Sequence, residues 1–182
     1  MGIEIERKFI VPLEHHDLFL NKSGGQEIVQ GYLSTEANRT IRIRTIEEAG
    51  EKSAYMTVKS SSTDGGLSRH EWEFDIPFED AQGMLDTLKP PHVKKRRHRI
   101  PHEGYIWEVD VVQVNKVPNR APAFYSYLVV AEVEAPTQEA VMAAPLPPWV
   151  GAEVTGDSTF AMSRLWNEGD RHMAWWKAYR CS

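Results

Sequence analysis

The chain contains 182 residues, of which 41% are hydrophobic and 26% are charged, so it can bury a core and is too apolar to be disordered. Its net charge of −5 is unlike that of a general nucleic-acid-binding protein, which is usually basic. One cysteine, Cys181, excludes a disulfide framework within one chain, and no apolar run is long enough to span a membrane. We therefore expect one domain, residues 1–182, in the cytoplasm, since no signal-peptide pattern opens the chain, and no nucleic-acid or membrane partner.

The first segment alternates charged and apolar side chains. Residues 3–9 read IEIERKF, so Glu4, Glu6 and Lys8 would share one face of a strand. A carboxylate pair two residues apart can share a hard cation, and the lysine can reach an anion bound to that cation. Half-exposed strands often have the same alternation, so this segment alone leaves both interpretations open.

Period-two segments recur along the whole chain. They are residues 30–34 (QGYLS), 39–46 (RTIRIRTI), 54–59 (AYMTVK), 69–76 (RHEWEFDI), 93–100 (VKKRRHRI), 105–111 (YIWEVDV) and 127–135 (YLVVAEVEA). Most place two or three ionisable groups on one face: Arg42, Arg44, Lys59, Arg69, Glu71, Glu73, Lys95, Arg97, Glu108, Asp110, Glu132 and Glu134. In the basic run, Lys95 and Arg97 are preferred to Lys94 and Arg96 because Val93 suits the apolar face. Arg99 and Glu108 fit the phase without a clear role.

Helical patterns lie between these segments. Residues 78–88 form an amphipathic helix, a second helix begins near Thr137 as N-cap, and a third extends from Ser158 to about residue 167. The tryptophan-rich tail, residues 170–179, predicts a further helix. His15 and His16 lack a third ligand at zinc-like spacing, so we expect them on the surface.

The segregation of charge predicts the fold class. Basic groups cluster on some strands and acidic groups on others, while the opposite faces are apolar. An α+β fold explains this pattern if a closed antiparallel barrel turns its charged faces inward and its apolar faces outward under helices. Facing acidic and basic strands would then neutralise one another, and the cavity would suit a polyanion bridged to carboxylates by a divalent metal.

The ordered motifs resemble the CYTH domain of the triphosphate tunnel metalloenzymes. They are Glu4-x-Glu6-x-Lys8, QGYL, Arg42-x-Arg44, Thr57-x-Lys59, Arg69-x-Glu71-x-Glu73, Lys95-x-Arg97, Trp107-Glu108-Val109-Asp110, Ala131-Glu132-Val133-Glu134 and Glu153-Val154-Thr155-Gly156. The resemblance covers residues 3 to about 165. It implies an eight-stranded antiparallel β-barrel, or tunnel, with peripheral α-helices that acts on triphosphates with Mg²⁺ or Mn²⁺.

The resemblance also implies roles for individual residues. The metal ligands would be Glu4, Glu6, Glu132 and Glu134. The triphosphate would be bound by Lys8, Arg42, Arg44, Lys59, Arg69, Lys95 and Arg97. Catalytic roles would fall to Lys8, Glu71, Glu73, Lys95 and Asp110, where the three acids would orient basic groups, position water or hold a second metal.

Several functions remain open at this point. The leading prediction is a metal-dependent inorganic tripolyphosphatase, with a small polyanion as its partner and a monomeric or homodimeric state. Adenylyl cyclase is disfavoured because only Met1-Gly2-Ile3 precedes Glu4, where cyclases of this family carry a His-Phe element. Two further functions stay open, namely thiamine triphosphatase and a non-catalytic sensor of polyphosphate or nucleotide.

Overall fold

The computed structural model describes residues 2–34, 39–62, 64–88, 92–113 and 127–165. Within these ranges eight strands close into one antiparallel barrel in the order β1-β5-β4-β3-β2-β6-β7-β8. The strands are β1 (Gly2–Ile10), β2 (Gln26–Ser34), β3 (Arg39–Glu48), β4 (Glu51–Ser60), β5 (Ser68–Asp75), β6 (Val93–His102), β7 (Tyr105–Gln113) and β8 (Tyr127–Glu134). The predicted fold class is confirmed.

Short helices cover the outside of the barrel. The α-helices are α1 (Asp17–Leu20), α2 (Phe78–Leu88), α3 (Gln138–Met142) and α4 (Met162–Leu165), and 3₁₀ turns span Leu13–His15 and Ser158–Phe160. The Thr137 hydroxyl accepts a hydrogen bond from the Ala140 N–H and caps α3, as the sequence predicts. In the described residues no helix combines the length and apolar character needed to cross a membrane.

Two tight turns set the register of the barrel. Ala49 and Gly50 join β3 to β4, and Glu103 and Gly104 join β6 to β7, with positive φ at all four residues. This is the backbone geometry of the type I′ hairpin turn, whose twist matches that of the strands. The register that results places Lys95 opposite Val112 and Arg97 opposite Asp110, so Lys95 and Arg97 face inward and the opposite phase is excluded. The reason given for this phase was wrong, however, because Val93 shares the phase of Lys95 and also faces inward.

The apolar core lies mainly outside the barrel wall. Phe9, Trp107, Val109, Val133 and their neighbours form one buried cluster that includes Val141 of α3. A second cluster packs Ala81 and Leu85 of α2 over β3 and β4. Because the outward faces are apolar and covered, the inward faces are available for charged side chains.

One end of the barrel interior is apolar. Ile10, Val93, Val112 and Val130 have the inward phase of the neighbouring charged residues, because Ile10 pairs with Val130, which pairs with Asp110. They form a buried cluster, here called the apolar plug, whose members are Ile10, Tyr32, Val93, Val112, Leu128, Val130, Phe160, Met162 and Leu165. Residues of the Ser158–Phe160 turn and of α4 therefore fill one end of the cavity, which the sequence patterns did not indicate.

Two sequence predictions need correction. His16 is buried, and its Nε2 lies 3.0 Å from the Val11 carbonyl oxygen, whereas a surface position was expected. The predicted third helix is broken, because Ala161 is extended between the Ser158–Phe160 turn and α4. The end of that prediction and the whole tail, residues 166–182, lie outside the described residues, and the single-domain assignment stays a prediction.

The motif Glu153-Val154-Thr155-Gly156 continues the barrel beside β1. The N–H of Val154 donates to the Lys8 carbonyl, and the N–H of Ile10 donates to Ala152. Gly156, at φ 73°, lies against the β4–β5 turn, where a Cβ atom would overlap the Gly65 carbonyl oxygen. Only glycine fits this backbone contact at the cavity entrance.

We expect Gly156→Ala to lower the free energy of unfolding by at least about 1–3 kcal/mol, because it adds both a backbone clash and a positive-φ penalty. Urea denaturation measures this change. Gly83→Ala is the control, since Gly83 lies in α2 with open space at its Cβ position, and it should stabilise the protein by about 0.5–1 kcal/mol. Equal effects of the two substitutions would contradict the proposed backbone contact.

Candidate active site

The barrel encloses a cavity of about 1080 Å³. Every residue that the sequence predicts as a ligand or catalytic group lines this cavity except Asp110, which lies just behind the surface. The lining residues among them are Glu4, Glu6, Lys8, Arg42, Arg44, Lys59, Arg69, Glu71, Glu73, Lys95, Arg97, Glu132 and Glu134. The closed barrel thus brings together side chains that are separated by up to 130 residues in sequence.

The charges in the cavity are segregated by strand. Strands β7, β8, β1 and β5 are neighbours and form the carboxylate arc, which carries Glu108, Asp110, Glu132, Glu134, Glu4, Glu6, Glu71 and Glu73. Strands β4, β3, β2 and β6 form the basic arc, which carries Lys59, Arg42, Arg44, Lys95, Arg97 and Arg99. Lys8 and Arg69 are basic residues within the carboxylate arc. Acidic and basic walls therefore face each other across the cavity.

Asp110 anchors one end of the basic arc. Its carboxylate accepts a hydrogen bond from Lys95 Nζ at 2.6 Å and two from Arg97, at 2.7 and 2.8 Å. Asp110 and Lys95 are almost completely buried, and Glu108 adds a further ion pair to Arg97. Burial and the nearby Arg97 lower the pKa of Lys95 to about 8, although Asp110 opposes the shift. Asp110 therefore orients two cavity cations without lining the cavity itself.

Arg42 and Arg44 keep unused hydrogen-bonding capacity. Arg44 donates to Glu73 at 2.8 Å, and Arg42 lies 3.9 Å from Glu71. The Nε atoms of both arginines are buried and have no hydrogen-bond partner within the described part of the chain. Burial and the neighbouring Arg42 lower the pKa of Arg44, and the same two causes lower the pKa of Lys59. An anion in the cavity would supply the missing acceptors and relieve this repulsion.

Glu4 and Glu132 are fully engaged with cations. Both oxygens of Glu4 accept from Lys59, at 2.6 and 2.7 Å, and Arg69 Nε donates to one of them at 2.7 Å. Burial alone would raise the pKa of Glu4, but Lys59 and Arg69 lower it to about 2. Glu132 forms an ion pair with Lys8 at 2.7 Å, and Lys8 and Arg97 lower the pKa of Glu132 in spite of its burial. These carboxylates are ionised at neutral pH.

Glu6 and Glu134 differ from Glu4 and Glu132 because their pKa values are raised and not lowered. They are direct cross-strand partners on β1 and β8, and like charges in this position destabilise a sheet. Burial and the nearby Glu132 raise the pKa of Glu6, while burial together with Glu4 and Glu6 raises the pKa of Glu134 to about 6. The carboxylate arc therefore has more negative charge at this point than its own cations neutralise.

The residues around Glu6 fit a hard divalent cation. Carboxylate oxygens are the protein ligands that Mg²⁺ and Mn²⁺ prefer. Glu6 has an ion pair with Arg69 but opposes Glu134, and this acidic pair lies beside Glu4 and Glu132 in the cavity lining. Among the described residues, no three acidic, histidine or cysteine side chains converge closely enough to hold a metal alone. Mg²⁺ is commonly held by one or two carboxylates together with substrate phosphate and water, which is compatible with this arrangement.

Glu71 and Glu73 orient basic side chains. Glu71 lies 3.2 Å from Lys59 Nζ, and Glu73 accepts hydrogen bonds from Arg44 at 2.8 Å and from the Thr57 hydroxyl at 2.9 Å. These acids were expected to orient basic groups, to position water or to hold a second metal. Their contacts favour the first of these roles.

Sequence reasoning assigned no role to several residues that the barrel brings to the site. Gln30 donates to the Tyr32 hydroxyl at 2.8 Å, and Tyr32 is the cross-strand partner of Arg42 at the border of the apolar plug. The Thr155 hydroxyl accepts from the Lys8 N–H. The QGYL motif gave the only signal for Gln30 and Tyr32, and the pairing of Gln30 with Arg44 and of Tyr32 with Arg42 is what brings them to the site. Arg99 and Glu108 line the cavity as an ion pair.

Comparison with known proteins places this barrel and its charged cavity in a known family. A family model described as the CYTH domain matches residues 2–141. The chain belongs to the CYTH domain family. An inorganic triphosphatase from Acetivibrio thermocellus is 36% identical over 166 residues, which cover 91% of this CYTH protein and 94% of that protein.

A second curated relative and a solved structure are also similar to the chain over most of its length. An inorganic triphosphatase from Nitrosomonas europaea is 32% identical over 168 residues, covering 89% of this CYTH protein and 95% of the relative. A crystal structure of an inorganic triphosphatase is similar with a TM-score of 0.51 at 27% identity, covering 91% of this chain and 95% of that one. The similarity thus includes the complete described barrel and nearly the full length of each relative.

We expect Asp110→Asn to lower the free energy of unfolding by about 3–5 kcal/mol, because it leaves Lys95 and Arg97 buried without their shared counter-charge. Chemical denaturation at pH 7 measures this loss. Glu27→Gln is the matched control, since the ion pair of Glu27 with Arg96 is exposed and should contribute no more than about 1 kcal/mol. A loss below about 1 kcal/mol for Asp110→Asn would contradict the anchoring role.

Proposed function

We propose that this CYTH protein is a divalent-metal-dependent inorganic triphosphatase that hydrolyses tripolyphosphate to pyrophosphate and orthophosphate. The observation that carries the proposal is the cavity whose basic arc faces a carboxylate arc in which Glu6 and Glu134 oppose each other directly. A polyanion bridged by a metal to carboxylates matches both walls. The relatives named inorganic triphosphatases support the same reaction.

The basic residues would bind the phosphate chain. Arg42 and Arg44 can donate paired N–H groups to phosphate oxygens, and Lys59 and Lys95 provide point charges. The Nε atoms of both arginines support this role, since they have no hydrogen-bond partner in the described ranges and an anion would satisfy them. Lys8, Arg69 and Arg97 complete the proposed set of phosphate ligands.

Glu4, Glu6, Glu132 and Glu134 would hold the metal, for which Mg²⁺ and Mn²⁺ suit the oxygen ligands. When bound, the metal would neutralise negative charge on the phosphate oxygens and on the leaving group. The four carboxylates would in turn keep the metal on the acidic side of the cavity.

The reaction requires positioning more than covalent chemistry by the protein. Water attacks the terminal phosphorus, a new P–O bond forms, and the bond from that phosphorus to the bridging oxygen breaks, so that the bridging oxygen leaves on pyrophosphate. Fixed cations around the phosphates stabilise the charge that shifts onto the leaving oxygen. Glu71, Glu73 and Asp110 would contribute by holding Lys59, Arg44, Lys95 and Arg97 in place.

The test is phosphate release from tripolyphosphate with Mg²⁺ and then Mn²⁺, with ATP and thiamine triphosphate as competing substrates. We expect metal-dependent release that favours tripolyphosphate. Saturable binding without phosphate release would replace the proposal with a non-catalytic sensor, and cyclic AMP formation from ATP would replace it with a cyclase.

Two carboxylate substitutions separate activity from stability. Glu6→Gln should reduce phosphate release at least about 100-fold. It should leave the free energy of unfolding unchanged or higher at pH 7, because the raised pKa of Glu6 means that its charge is unfavourable in the folded protein. Glu4→Gln should lose activity and also about 3 kcal/mol of stability, because the lowered pKa of Glu4 makes its ionised form stabilising above that pKa.

Glu47→Gln is the control for both substitutions, since Glu47 is exposed on the outer face of β3 and should alter neither property. Full activity of Glu6→Gln would contradict the assignment of Glu6 to the metal site.

Anion binding should cause proton uptake through Lys95. Its pKa of about 8 leaves much of the amine neutral at about pH 8.5, and a bound polyanion favours the ammonium form, so binding should raise the pKa. Titration calorimetry with tripolyphosphate, in two buffers of different ionisation enthalpy and without metal to prevent turnover, measures the uptake. Lys95→Arg is the control, because arginine stays protonated. Equal proton uptake by the two proteins would contradict this prediction.

A further inference from the structure

Arg69 differs from the other cations of the cavity in what it contacts. It lies opposite Glu4 in the register of β1 and β5. Its Nε donates to Glu4 at 2.7 Å, and its terminal nitrogen donates to Glu6 at 2.5 Å. One guanidinium therefore bridges the two carboxylates that open the chain, which are also two of the proposed metal ligands.

The contact with Glu4 is not needed to neutralise that carboxylate. Lys59 already donates to both oxygens of Glu4 and is nearly buried. For Glu6, by contrast, the Arg69 contact is the ion pair seen within the described residues. Lys8 is a second cation nearby, but its ammonium is paired with Glu132, and Glu132 and Glu134 add negative charge around Glu6. Arg69 thus supplies positive charge at the point where the carboxylate arc has an excess of negative charge.

Arg69 is also the most exposed of the proposed phosphate ligands. Its side chain is 30% exposed, whereas the side chains of the other six are 13% exposed or less. Its long side chain faces the open cavity, so the guanidinium can leave Glu4 and Glu6 without any movement of the strands.

We propose that Arg69 occupies the place of the metal in the free protein, and that a divalent cation must displace it from Glu4 and Glu6. This inference rests on the proposed function, because it takes the metal ligands from it. The displaced guanidinium is then available to a phosphate oxygen. Metal alone therefore binds weakly, and metal and polyphosphate each strengthen the binding of the other, as linkage requires.

The proposal makes Arg69 a residue that sets metal affinity and not only a phosphate ligand. Removal of a phosphate ligand that does not compete with the metal would alter binding of the metal alone only slightly, through the overall charge of the cavity. Removal of a competing cation would strengthen that binding. The two roles therefore predict different results in the absence of any phosphate.

The experiment is titration of the purified protein with Mn²⁺ alone, followed by calorimetry and by the electron paramagnetic resonance signal of free Mn²⁺. We expect Arg69→Gln to bind Mn²⁺ about tenfold or more tightly than the wild-type protein. Arg44→Gln is the matched control. The substitution removes the same charge from the cavity, but Arg44 contacts Glu73 and not Glu4 or Glu6. It should tighten Mn²⁺ binding by no more than about threefold.

A second variant protects the test against misfolding. Arg69→Lys keeps the positive charge but replaces the planar guanidinium with a single ammonium group, which bridges both carboxylates less well. The Mn²⁺ affinity of this variant should lie between those of the wild type and Arg69→Gln. Unchanged or weaker Mn²⁺ binding by both Arg69 variants would overturn the proposal. Equal tightening by Arg44→Gln would also overturn it, because the effect would then come from the overall charge of the cavity.

This result is independent of turnover. Wild-type phosphate release with no tightening in the Arg69 variants would leave the proposed function standing and reject the competition. Tightening in the Arg69 variants without any wild-type phosphate release would support the competition at a metal site and reject the triphosphatase.

Discussion

Ionised side chains inside a barrel lose most of their hydration, and they are tolerated only where opposite charges and hydrogen bonds compensate for that loss. Most of the cavity meets this condition, as Lys95 and Arg97 do with Asp110, and Glu132 does with Lys8. Compensation is incomplete in two places. Glu6 opposes Glu134 across β1 and β8, and the Nε atoms of Arg42 and Arg44 have no hydrogen-bond partner among the residues that the structure describes. The acidic pair calls for a cation, and the two arginines call for a hydrogen-bond acceptor such as an anion. One metal–polyanion complex would supply both.

The outer surface makes this interior possible. Apolar residues such as Phe9 and Trp107 face away from the cavity and are buried outside the barrel wall, so the core of the protein lies around the barrel and not within it. Helix α2 covers a second outward apolar region. The exception is the apolar plug, where Val93, Val112 and Val130 face inward and are covered by α4 and the residues before it. The plug gives the cavity one apolar end, so a charged ligand contacts the opposite part of the interior.

Period-two alternation was sufficient to predict which charged side chains face inward. Glu4, Glu6 and Lys8 and the basic pair Lys95 and Arg97 all lie on the predicted face, because one-residue alternation is a property of the strand itself. What the pattern did not contain is which strands are neighbours. The contacts of Glu4 with Lys59 and Arg69 and the opposition of Glu6 and Glu134 depend on closure of the barrel.

Other features escaped prediction for similar physical reasons. Val93 and Val130 suit the inside or the outside of a barrel equally well, so the plug had no distinct signal. The burial of His16 depends on one hydrogen bond to the Val11 carbonyl, which a sequence pattern does not contain. The roles assigned to the cavity residues follow from the family resemblance and the geometry together, and they remain proposals.

The most direct test of the central claim, that the two walls of the cavity bind one metal–polyanion complex, is a crystal structure with Mn²⁺ and a tripolyphosphate analogue whose bridging oxygens are replaced by methylene groups. The account predicts an anomalous Mn²⁺ peak beside Glu6 and Glu134, with phosphate oxygens in contact with Arg42 and Arg44. Metal bound away from these carboxylates, or the analogue bound outside the barrel against Lys94 and Arg96, would contradict it.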